Sequence, residues 1–197
     1  MALTAQQIIV VPGQVFLGVK MFPTFAAFLL LQAPHPPLST APPDPWSAVR
    51  FMEGEWAGES DGQPGKGTVE RSYRFVLGKK FLHEQNVSTY APQPRNEKGE
   101  VHEHWSFFSH DRSRHTIVFR QFHQEGFVNQ YVMKPGSSAG TVVFESEALE
   151  NVPSGWKARE TYQTVSPDEF METFELAQGS DAYAVYSQAR FKRVRGQ

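Results

Sequence analysis

The 197 residues contain no cysteine. This excludes disulfides, a thiolate nucleophile, thiolate-bound zinc, haem or iron–sulfur clusters, and a lipid anchor on cysteine. An excess of basic charge is also missing. The 19 Lys and Arg stand against 21 Asp and Glu, for a net charge of −2, which argues against a nucleic-acid partner. No uninterrupted apolar run reaches the roughly 18 residues that a membrane-spanning helix needs. A Gly-x-Ser-x-Gly elbow, a phosphate loop and a dinucleotide fingerprint are all absent. The carboxylate pairs Glu145/Glu147 and Glu172/Glu175 lie on segments that read as exposed strands, with nothing to gather them in one cleft. No group is therefore nominated for catalysis.

Aromatic residues and turn formers are abundant. There are 16 Phe, 6 Tyr and 4 Trp, with 15 Gly and 14 Pro, a balance that favours β structure. The composition changes near residue 44. Lys20 is the one charged residue among the first 43. Residues 8–11 and 22–31 are apolar, and residues 34–45 form a Pro-rich stretch expected to be extended. Residues 1–43 are expected to be a signal peptide or leader with a linker. Lys20 would flank the apolar core, and Ala33 or Ala41 would precede cleavage. Export to the periplasm or outside the cell follows from that reading. The alternative is a cytoplasmic protein whose true start is Met21 or later.

Residues 44–197 form the second expected unit. A short helix is expected over residues 44–53, with Asp44 as N-cap and Pro45 in its first position. Ten strands are expected near residues 54–60, 67–77, 80–90, 100–109, 114–123, 126–134, 140–149, 156–165, 168–177 and 181–193. The signals between them are turn pairs such as Asp61-Gly62, Glu125-Gly126 and Pro135-Gly136. No intervening segment is long enough for the crossover helix that parallel strands require. The expectation is all-β: a closed, antiparallel, up-and-down barrel, since closure removes exposed sheet edges. A barrel of this size has room for one small ligand.

The body opens with Phe51-Met52-Glu53-Gly54-Glu55-Trp56-Ala57-Gly58-Glu59-Ser60-Asp61-Gly62. This resembles the Leu-x-Gly-x-Trp-x-Gly-x-Gly opening of the nitrobindin-like haem-binding β-barrels, relatives of the calycin barrels that include the fatty-acid-binding proteins and lipocalins. The stretches Glu70-Arg71-Ser72-Tyr73-Arg74-Phe75 and Val76-Leu77-Gly78-Lys79-Lys80-Phe81-Leu82 extend the likeness, which covers about residues 46–195. The resemblance implies a calycin barrel closed at its bottom by Trp56. In the nitrobindins, haem is held by a His on the last strand, in a His-Leu-x-Ala-x-Leu-x-Arg pattern. Tyr186-Ser187-Gln188-Ala189-Arg190-Phe191-Lys192-Arg193 matches it at Ala189, Phe191 and Arg193, but Tyr186 stands at the ligand position. No cofactor is therefore expected, and haem enters only through the resemblance, with Tyr186 as its candidate ligand.

The inward-facing candidates for ligand contact are Trp56, Tyr73, His83, Trp105, Arg120 and Tyr131. Trp and Tyr combine apolar area with a polar tip, and an arginine inside a strand needs an anionic partner or ligand. Six of the seven His fall between residues 83 and 123. His102 and His104 share a strand face at the spacing that suits metal capture, with a third ligand available from His83, His115 or His123. The reading set against this places His102 and His104 on the outer wall, with Trp105 facing in. The first functional reading is a non-catalytic barrel for a small hydrophobic or amphipathic molecule. The alternative is a haem- or metal-binding barrel with redox or nitric-oxide-related chemistry.

Overall fold

The computed structural model describes residues 44–137 and 140–194. The expected leader, its cleavage and the alternative start all fall outside the described residues. A 3₁₀ turn, Arg50–Met52, precedes ten strands: β1 Gly54–Gly62, β2 Gly67–Val76, β3 Phe81–Tyr90, β4 Glu100–Asp111, β5 Thr116–His123, β6 Val128–Met133, β7 Thr141–Glu150, β8 Trp156–Ser166, β9 Glu169–Gln178 and β10 Ala184–Arg193. Each strand pairs antiparallel with its neighbours in sequence, and β1 pairs with β10 to close the barrel. The expected architecture is therefore present, with strand bounds that differ by a few residues.

The expected helix over residues 44–53 is instead a run of tight turns. Ser47, Val49 and Met52 each donate a backbone hydrogen bond three residues back, to Asp44, Trp46 and Val49. Side chains three apart eclipse in such a geometry. Trp46, Val49 and Met52 consequently share one face and are all buried, sealing one end of the barrel. A short segment with its apolar residues every third position gains more from this than from an α-helical turn.

Closure depends on the glycines of the opening motif. A Cβ on Gly58 would lie 2.3 Å from the Arg190 carbonyl oxygen, and one on Gly62 would lie 2.2 Å from the Tyr186 carbonyl oxygen. Only glycine lets β10 come this close to β1. Side chains along β1 still alternate, so Trp56 and Ser60 point inward and are buried.

The closed end is packed with aromatic rings. Trp56 is 2% exposed, meets Phe170 edge-on at 4.7 Å between centroids, and donates from Nε1 to the Met52 carbonyl oxygen at 2.6 Å. The Arg193 guanidinium lies 4.1 Å from the Trp56 ring and donates to the carbonyl oxygens of Phe51 and Glu53. Phe108, Phe119 and Tyr131 stack in series at 4.4 Å spacings. Trp56→Ala should cost about 3–5 kcal/mol, as for other buried large aromatics. Urea denaturation of the variant checks this; an unchanged midpoint would mean that the plug contributes nothing.

Candidate functional site

Above the aromatic plug the interior opens. A cavity of about 580 Å³ runs to the end of the barrel formed by the loops after β1, β3, β5, β7 and β9. Its walls have two characters. Phe127, Leu149, Trp156, Phe174, Leu176 and Tyr186 form an apolar side. Polar side chains, including Arg71, Asn86, Ser88, Asn129, Glu160 and Glu172, line the rest and its floor.

Strand alternation explains how polar groups come to be inside. On β2, Val69, Arg71 and Tyr73 point inward, and on β3 so do Leu82, Glu84, Asn86, Ser88 and Tyr90. Buried polar groups are costly unless paired, and here they form a network. Arg71 lies 3.1 Å from Glu84 and 2.9 Å from Glu172, donates from Nε to Asn86 at 2.9 Å, and lies over the Phe191 ring at 4.5 Å. Tyr73 donates to Glu84 at 3.1 Å. Burial opposes ionisation of Glu84, but the Arg71 guanidinium and His104 outweigh it and hold the carboxyl at about 2.

Glu160 behaves in the opposite way. Burial, together with the Glu172 and Glu84 carboxylates, raises it from an ordinary 4.5 to about 8. Protonated at neutral pH, it stands beside the Tyr162 hydroxyl, with which it shares a short hydrogen bond. Burial also keeps the phenols of Tyr73, Tyr131 and Tyr162 protonated.

Three histidines complete the wall. His102 and His104 follow one another on the inner face of β4, and His123 on β5 is the register partner of His104. Their ring centroids are 5.3–5.6 Å apart, and one ring nitrogen from each lies within 4.8 Å of the others. His123 stacks on Phe127 at 4.0 Å. Gln121 bridges two of them, its Oε1 3.0 Å from His123 Nε2 and its Nε2 3.3 Å from His104 Nε2. Burial lowers both His104 and His123, the latter to about 2 with help from its two histidine neighbours. Both rings are thus neutral at pH 7.

The structure divides the residues singled out from the sequence. Trp56, Tyr73 and Tyr131 are buried in the packed interior; none of the three lines the cavity. Tyr186 stands at the cavity's rim, 37% exposed, edge-on to Phe174. Burial, with Glu100 next, raises its phenol above the usual 10. Three expectations are corrected. Trp105 is 50% exposed, Arg120 is exposed, and His83 packs against Phe107 and Trp105 on the outer wall. Conversely, His104 is buried and His102 faces the cavity, so the outer-wall placement of this pair is wrong. Glu172, read as exposed, is buried in the interior. The error is one of facing. On β4 and β5 the bulky aromatics Trp105, Phe107 and Phe122 lie outside, while His104, Ser106 and Gln121 lie inside. Hydrophobicity alone therefore points the wrong way.

The sequence reading also passed over Arg71, Glu84, Asn86, Asn129 and Glu160. Their signal was a polar residue at every second position of a strand whose other inward positions are apolar or aromatic, as in Leu82, Glu84, Asn86, Ser88 and Tyr90.

No family model matches the chain, and no curated protein matches it. Solved structures do. One similar structure is that of Rv2717c from M. tuberculosis, with a TM-score of 0.58 and 15% identity over 78% of this chain and 99% of that one. A de novo designed fluorescence-activating β-barrel covers 75% of this chain and 98% of its own at 15% identity, with a TM-score of 0.38. The first likeness, at 15% identity, is one of fold alone.

Glu160 has a testable consequence. Its folded-state value lies above its unfolded one, so the unfolded chain loses its proton first as pH rises, and stability falls through that window. The lowered values of His104 and His123 oppose this near pH 6.5, where their imidazoles in the unfolded chain are still about half charged, and that opposition has largely ended by about pH 7.5. Between about pH 7.5 and 8.5 the protein should lose stability, and Glu160→Gln should flatten the decline. Denaturant midpoints measured across this range check it; equal slopes for parent and variant would contradict a raised Glu160.

Proposed function

We propose that the barrel binds one small, uncharged or cationic amphipathic molecule and carries out no catalysis on it. The supporting observation is a cavity of about 580 Å³ that combines an apolar side with a polar floor, the combination usual in ligand sites. Its charge narrows the class. Among the described residues, Arg71 is the one Lys or Arg lining the cavity, and it is already engaged by Glu84, Glu172 and Asn86. Glu100, Glu125 and Glu172 also border the space. A fatty carboxylate would bring a further negative charge to this wall and find no free cation. A neutral head with hydroxyl or amide groups finds acceptors and donors in Ser88, Asn86 and Glu160. The apolar part then lies along Phe174, Leu176, Leu149 and Trp156.

The haem alternative finds little support in the residue at its expected ligand position. A neutral phenol is a poor ligand for iron, and the surroundings of Tyr186 raise its pKa rather than lower it. Among the described residues, the neighbouring groups that influence it are Glu100, Tyr90 and Glu125, which oppose the phenolate.

Titration with the neutral probe N-phenyl-1-naphthylamine, in buffer containing a chelator, tests the reading. One saturable site is expected, with weaker binding of the anionic probe 8-anilinonaphthalene-1-sulfonate and of oleate. Phe174→Ala removes part of the apolar side and should weaken the neutral probe roughly tenfold, the effect of losing one to two kcal/mol of apolar contact. Absence of saturable binding, or tighter binding of oleate than of the neutral probe, would contradict it.

A further inference from the structure

We propose that His102, His104 and His123 form a site for one divalent transition-metal ion on the cavity wall, with its fourth position open to the cavity. The proposal goes beyond the ligand-binding reading and stands if that reading fails.

Each imidazole is held from behind by an acceptor. His102 Nδ1 donates to Glu125 Oε1 at 2.8 Å. His123 Nε2 lies 3.0 Å from Gln121 Oε1, to which it donates in one tautomer, and 3.2 Å from the Asn129 amide nitrogen, from which it accepts in the other; the shorter contact favours the first. His104 Nε2 lies 3.4 Å from Glu84 Oε1 and 3.3 Å from the Gln121 amide nitrogen, which only donates; the ionised Glu84 favours the tautomer with the proton on Nε2. Such partners are the usual way of fixing the tautomer and orientation of metal-binding histidines. In a neutral ring, a proton on one nitrogen leaves a lone pair on the other. The remaining nitrogens are therefore His102 Nε2, His123 Nδ1 and His104 Nδ1.

Two observations show that these lone pairs lack a natural companion. His102 Nε2 and His123 Nδ1 face each other at 3.3 Å; in the tautomer in which His123 Nε2 donates to Gln121, neither of these atoms carries a proton, and a cation between them relieves their repulsion. His104 is 6% exposed, and its Nδ1 is buried with no hydrogen-bond partner, a condition that buried polar atoms rarely tolerate. The distance fits a metal. Tetrahedral bonds of about 2.0–2.1 Å to imidazole place neighbouring donor atoms about 3.3–3.4 Å apart. Rotation of the rings about their own bonds brings the third donor in from within 4.8 Å.

Three neutral imidazoles select borderline ions such as Zn²⁺, Co²⁺, Ni²⁺ or Cu²⁺ over Mg²⁺ and Ca²⁺, which prefer oxygen. All three rings line the cavity, so water or a donor atom of a bound molecule can take the fourth position. Three protein ligands plus an open position is the arrangement of reactive rather than purely structural zinc sites.

The test uses the full chain, stripped with chelator and dialysed. Calorimetric titration with Zn²⁺ should show one strong site per chain, and Co²⁺ should give visible bands of a nitrogen-rich, low-symmetry site that Zn²⁺ abolishes. Glu125→Gln should weaken Zn²⁺ by about 10–100-fold, the usual effect of losing an outer partner. His102→Ala and His123→Ala should weaken it further, while His115→Asn, on the hairpin at the closed end, should not. If His123→Ala fails to fold by circular dichroism, His102→Ala decides alone, because its ring stands partly exposed on the wall. No strong Zn²⁺ site in the parent, or one unaffected by His102→Ala, would overturn the proposal. The Gln121 amide would then be turned over, letting His123 donate to His102 without a metal. Binding of N-phenyl-1-naphthylamine by the chelated protein is read separately, so the two proposals fail independently.

Discussion

Arg71 is the cation on which the barrel's interior depends. Closure of ten strands sends every second side chain inward, and several of those residues are acidic. Glu84 and Glu172 are tolerable inside because one guanidinium meets both, while Asn86 and Tyr73 accept from its Nε and Nη1. Removing one member of such a buried set commonly costs about 3–5 kcal/mol, since the others are left uncompensated. The network also divides the interior. Below it, rings pack without space; above it, polar groups keep the walls apart and a cavity remains.

Glu160 shows how far this accommodation extends. The guanidinium is shared by two other carboxylates, and Glu160 stays uncharged instead, paired with Tyr162. The interior thus holds one carboxyl well below and one well above the ordinary range, each set by its neighbours. A cavity with such a floor offers hydrogen bonds without a spare positive charge. That is the basis for preferring an uncharged or cationic amphiphile over a fatty acid.

Strand order, antiparallel pairing and closure were legible because turn pairs such as Glu125-Gly126 and Pro135-Gly136 punctuate the chain, and no segment could serve as a crossover. The role of Trp56 as an end plug came from the resemblance of the Gly54-x-Trp56-x-Gly58 opening to that of the nitrobindin-like barrels. Facing was harder to read. Trp105 and Arg120 looked internal because aromatic and charged residues in a strand usually mark a core or a site, yet the upper half of this barrel is lined by polar groups and its outer wall carries aromatics. The pairing of His102 and His104 was visible from their spacing. Their convergence with His123 required the β4–β5 register, which sequence alone does not specify.

Backbone amide chemical shifts, followed by NMR during addition of a neutral amphiphile, test most directly whether the upper interior is the binding site. Shifts should concentrate at the inward positions of residues 86–90, 156–160, 172–176 and 186–189, with residues 46–56 at the plugged end unmoved. Changes confined to the outer wall around Trp105 and Phe122, with the inward positions silent, would contradict an internal site.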